Sequence, residues 1–85
     1  MNTQEMARRA SALPDQFATR LPADTLTGLR LMNEGGEYGE LAIELTATLL
    51  KTGASVSAAE QRELRAVLEA MGMPTYLLEW LTVAD

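Results

Sequence analysis

Between residues 36 and 52 the chain is apolar or small around most of a helical circumference. At 100° per residue, Tyr38, Leu41, Ala42, Leu45, Leu49 and Thr52 fall on one face. Gly39, Ile43, Thr46, Ala47 and Leu50 fall on an adjoining one. Charge is confined to a narrow wedge that holds Glu37, Glu40, Glu44 and Lys51. A helix apolar on two sides needs neighbours against both. The pattern therefore predicts a central helix over 36–52 with the rest of the chain packed around it.

The flanking segments read as further helices. Met6, Ala10, Leu13, Phe17 and Leu21 share a face whose phase runs straight through Pro14. Proline inside a helix removes a hydrogen bond and clashes with the preceding turn, at a cost of ~3 kcal/mol. Two short helices are therefore expected, over residues 3–12 and from Pro14 onward, with a single kinked helix as the alternative. Leu26, Leu29 and Met32 line the next helix, opened by Pro22-Ala23-Asp24, with Arg30 and Glu34 spaced to pair at i, i+4. Gly35-Gly36 ends it and permits a reversal into the central helix, whose first turn takes Glu37 and Glu40. Lys51 and Gly53 mark the far end. Ser57-Ala58-Ala59-Glu60 is a capping box, and Leu64, Val67, Leu68 and Met71 follow as one stripe until Gly72 and Pro74 stop the helix. Residues 74–81 present Tyr76, Leu77, Trp80 and Leu81 as an apolar face that should fold back as a lid. Residues 83–85 are expected to fray. No segment reads as a strand or a hairpin turn. The fold predicted is all-α, a compact bundle or orthogonal array of four to five short helices forming one domain over residues 1–85.

Composition narrows the chemistry. The chain has 85 residues, 47% hydrophobic and 22% charged, which suits a small folded domain rather than a disordered one. It contains neither Cys nor His. That removes disulfides, thiol nucleophiles, imidazole bases and the usual zinc, copper and haem ligands. Three serines and one lysine remain without a histidine to activate them, and Ser57 is used by the cap, so no enzyme activity, metal or cofactor is expected. Residues 1–12 carry two arginines but lack the apolar run of a secretory leader, and no stretch is long enough to span a bilayer. A disulfide-free chain suits the cytoplasm.

Net charge is −5, which disfavours nucleic acid and favours basic partners. A helix–turn–helix reading around Gly35-Gly36 would turn Glu37, Glu40 and Glu44 toward phosphates, and is rejected on that ground. With Glu34 just upstream, the wedge makes four carboxylates in about three turns. Two readings stay open for it: the wet side of a central helix, or a docking strip for a basic partner, with unpaired like charges costing a few tenths of a kcal/mol each. Glu37, Glu40 and Glu44 could also hold a hard cation weakly, but they read better as a solvated face. For Tyr76 and Trp80 the readings are a lid over the core or an interface anchor.

The run Leu-Met-Asn-Glu-Gly-Gly-Glu-Tyr-Gly-Glu-Leu-Ala-Ile-Glu-Leu over residues 31–45, with Val56-Ser57-Ala58-Ala59-Glu60 and Met71-Gly72-Met73 downstream, resembles small helical immunity proteins. These belong to bacterial polymorphic toxin and contact-dependent inhibition systems, including the MafI type. The resemblance covers residues 22–73. It implies a cytoplasmic, non-catalytic protein that binds a cognate toxin domain, here a basic one, and occludes its active cleft. By position it points to Glu34, Glu37, Tyr38, Glu40 and Glu44 as the partner-binding residues. The alternative is a helical adaptor or regulatory protein that self-associates as a homodimer or docks a partner helix through Trp80 and Tyr76. Neither reading involves nucleic acid or a membrane.

Overall fold

Leu13 and Pro14 are buried on a single continuous helix, α1 (Thr3–Gln16), and Phe17 is buried at its C-cap. In this computed structural model, which describes residues 2–84, the alternative of one helix through Pro14 is therefore the one adopted. The proline falls in the last turn, so few backbone bonds are at stake there, and the buried Ala10, Leu13 and Phe17 hold the turn together. Asn2 caps the helix, its side chain accepting from the Glu5 N–H at 2.7 Å.

After a 3-10 turn (Ala18–Arg20) come α2 (Ala23–Glu34), α3 (Tyr38–Thr52) and α4 (Ala58–Ala70). α3 starts two residues later than the sequence pattern predicts. Gly36 sits at φ 71°, in the left-handed region open to glycine, and the Glu37 N–H donates back to the Met32 carbonyl at 2.9 Å. Glu37 is thus spent on closing α2, and α3 begins at Tyr38 rather than at Gly36. The expected Arg30–Glu34 pair does not form; Arg30 reaches across to Asp15 of α1 at 3.0 Å instead.

α3 is the hub. It packs against α1, α2, α4 and the C-terminal 3-10 helix (Tyr76–Trp80). Leu41, Ala42, Leu45 and Leu49 are fully buried, and Ile43 and Leu50 pack half-buried against the same core. Thr46 and Thr48 are buried with their hydroxyls donating to the Ala42 and Glu44 carbonyls, each at 2.8 Å, so neither leaves an unmet polar group. Gly39 is buried where the chain leaving α4 crosses the start of α3. A Cβ there would lie 3.1 Å from the Met73 sulfur. The capping box at Ser57 forms in full, with Glu60 N–H to Ser57 Oγ at 3.0 Å and Ser57 N–H to Glu60 Oε1 at 2.8 Å.

Three expectations fail at the C-terminus. Ser55–Val56 (β1) and Thr82–Val83 (β2) pair as a two-stranded parallel ladder, Ser55 opposite Thr82 and Val56 opposite Val83. Two-residue strands carry no alternation to read; distant segments form them once packing brings them together. Val83 and Ala84 are accordingly tied down, the Ala84 N–H donating to the Val56 carbonyl at 2.9 Å, while Asp85 lies outside the described residues. The lid also turns the other way. At three residues per turn, Leu78 and Leu81 share the inward side and are buried, whereas Tyr76 and Trp80 are 64% and 71% exposed. The face expected from the α-helical period is therefore replaced by one three residues apart.

Candidate functional site

Glu34, Glu37, Glu40 and Glu44 lie along one junction of the fold. Glu34 ends α2, Glu37 closes the turn, and Glu40 and Glu44 stand one turn apart on α3. All four are exposed. Tyr38, grouped with them by the resemblance, is half-buried and packed against the core, so it presents only part of its ring.

Among the described residues, none of the four glutamates makes an ion pair or a side-chain hydrogen bond. The reason lies in where the arginines go. Arg9 engages Glu63 of α4 through both carboxylate oxygens, and approaches Glu5 as well. Arg20 grips Glu60, Arg30 pairs with Asp15, and Arg65 with Glu79. These pairs staple elements to one another and leave the excess negative charge concentrated on the α2–α3 junction. Glu34 sits at a helix C-terminus, where the backbone dipole opposes a carboxylate. Glu40 and Glu44, at i and i+4, repel each other. Glu40, in the first turn of α3, is favoured by that helix's dipole, so the fold supports one end of the strip and opposes the other.

Two neighbours extend it. Glu44 forms one rim of a shallow groove of about 210 Å³ between the start of α2 and the second half of α3, with Pro22, Thr25, Ala47, Thr48 and Lys51 among its walls. Lys51 is two turns beyond Glu44 and is exposed, the one cation within α3 itself. Leu31 lies beside Glu34 at i, i+3 and is 63% exposed. The sequence signal for it is negative: it falls off the Leu26, Leu29, Met32 stripe and has no core position to occupy.

A second exposed surface is set apart by its chemistry. Tyr76, Trp80 and the partly exposed Val83 follow one another along residues 76–83 with their apolar surface in solvent. The electrostatics of the molecule are most perturbed elsewhere, at the staples. Hydrogen bonding to Arg20 holds the Glu60 carboxyl at about 2, and Arg9 holds Glu63 below the usual carboxylate range. Both are structural positions away from the strip. Among the described residues no group of three or more acidic side chains converges closely enough to hold a metal ion, and no helix is long and apolar enough to cross a membrane. Compared with known proteins, the chain matches no family model, no curated sequence and no solved structure.

Proposed function

We propose that this protein works by binding another protein, and that Glu34, Glu37, Glu40 and Glu44 form the surface that meets a basic partner. The observation that carries the reading is the allocation of charge. Four arginines are committed to carboxylates elsewhere, and among the described residues the four glutamates of the α2–α3 region have no cation in contact. Unpaired carboxylates on a fixed helical frame raise the on-rate and orient a partner of opposite charge. Leu31 adds an apolar contact at one end of the strip and the half-buried Tyr38 a preordered one near its middle. In its specific form, drawn from the resemblance of residues 22–73 to immunity proteins, the partner is a toxin domain and binding covers its active cleft. No catalytic step is assigned to any residue.

The test has two parts. Co-expression with a toxin-domain protein encoded next to this chain should protect the host and yield a complex; neither protection nor complex would rule out the toxin reading. The double substitution Glu40→Lys/Glu44→Lys should weaken that complex at least tenfold at low salt, and the wild-type affinity should fall as salt rises. Unchanged affinity in the variant would move the interface off the strip.

The exposure of Tyr76 and Trp80 favours a second reading, an adaptor that docks a partner or a second copy through these aromatics. Light scattering separates the two forms: a homodimer abolished by Trp80→Ala supports self-association, and a strict monomer up to millimolar concentration removes it.

A further inference from the structure

Residues 74–84 are fastened to the helices differently from the way the helices are fastened to one another. α1 buries Ala10, Leu13 and Pro14, α4 buries Leu64, Val67 and Leu68, and α2 runs alongside α3 with Leu29 and Met32 against the core. The C-terminal segment has only a five-residue 3-10 helix, whose i→i+3 bonds are the poorer kind, with Leu78 and Leu81 as its two buried side chains. Among the described residues, three further ties hold it. Gln61 Nε2 donates to the Leu78 carbonyl at 2.9 Å, Arg65 pairs with Glu79 at 3.0 Å in a largely exposed position, and β2 pairs with β1 over two residues. Its other side is turned to solvent along its length: Tyr76, Glu79, Trp80, Thr82, Val83 and Ala84 are all exposed. Gly72, at φ 68°, and Pro74 break the chain between it and α4, so no helix has to unwind for it to move.

We infer that residues 74–84 form a strap that opens as one unit while α1–α4 stay folded. Opening uncovers the apolar side of α3 and α4 on which Leu78 and Leu81 rest, and so converts a closed core edge into an open hydrophobic groove. These ties release together, because the ladder, the Gln61 bond and the two leucines all lie on the same short segment. Parts of a protein with few buried contacts and short ladders open below the global unfolding free energy.

Native-state hydrogen exchange on the intact chain tests this. The Leu78, Leu81 and Ala84 amides should exchange with a common opening constant at least about tenfold larger than that of Leu45 and Leu49 in α3, with little dependence on low urea. Leu78→Ala should raise the strap's opening constant a further tenfold or more and leave α3 within about twofold. Should that variant fail to fold, Gln61→Leu asks the same question from the surface of α4, with an expected rise of about threefold confined to the strap. Strap and α3 amides sharing one opening constant in the wild type, or Gln61→Leu accelerating both equally, would overturn the inference.

Discussion

Both terminal nitrogens of Arg20 meet both oxygens of Glu60, at 2.7 and 2.6 Å, across 40 residues of chain. The same guanidinium lies 4.6 Å from the centre of the Phe17 ring and donates to the Ser55 carbonyl at 3.2 Å. Glu60 in turn completes the capping box of α4. One bidentate contact therefore joins the end of α1, the connector strand and the start of α4. A fork–fork pair of this kind is worth more than an exposed ion pair because geometry fixes both partners.

Replacing Glu60 with Ala removes the pair and half of the capping box together. It should destabilise the protein by about 2–3 kcal/mol, from roughly 1 kcal/mol for the cap and the remainder for leaving the part-buried Arg20 unmatched. Urea denaturation is the measurement, with the slope unchanged and the midpoint lowered. Arg20→Lys, which keeps the charge but loses the fork, should fall between the two.

Acid should weaken the fold in a defined window. The folded Glu60 carboxyl is held at about 2, against 4.5 unperturbed, and Glu63 is lowered in the same direction by Arg9. A depressed carboxyl contributes stability that is complete above its unfolded value and is lost as pH falls toward the folded one. Stability should therefore be flat above about pH 5 and decline from pH 4.5 to 2, by about 2 kcal/mol from Glu60 after solvent screening of the part-exposed pair. In Glu60→Gln that portion of the decline should vanish from a pH series of urea melts.

Leu45 and Trp80 should behave oppositely on truncation. Leu45 is fully enclosed on α3, so Leu45→Ala should cost about 2–5 kcal/mol. Trp80, with most of its surface in solvent, should cost less than about 0.5 kcal/mol as Trp80→Ala. A loss above 2 kcal/mol at Trp80 in thermal or urea melts would mean that the tryptophan is a core residue.

Charge reversal in the strip should leave the fold intact and, if anything, strengthen it. Glu44→Lys removes like-charge repulsion with Glu40 and places a cation one turn below it, a gain of a few tenths of a kcal/mol at low salt. Glu34→Lys should gain as much, since a cation suits the C-terminus of α2. Calorimetry at low and high salt checks both, the gain shrinking as salt rises.

Local rules were enough to place α2, α3 and α4 and the buried face of α1. The two apolar faces of α3, the capping box at Ser57, the stops at Gly36, Gly53 and Gly72 and the continuous Met6–Leu21 phase are all properties of residues within a few positions of one another. That is the range over which helix periodicity and caps act. Glu37, Glu40 and Glu44 are legible for the same reason, as the wedge left over by the apolar positions of 36–52, with Glu34 just upstream. Tertiary structure decided everything that depends on partners far along the chain. Arg30 chose Asp15 over its helical neighbour Glu34, and Arg9 and Arg20 found Glu63 and Glu60, because long side chains reach whatever carboxylate packing brings near. The parallel ladder joins strands too short to announce themselves, and Pro14 stayed helical because buried neighbours outweighed one lost bond. Tyr76 and Trp80 face solvent because a 3-10 period, set by how Leu78 and Leu81 seat on α3 and α4, replaced the α-helical one that the sequence alone would suggest.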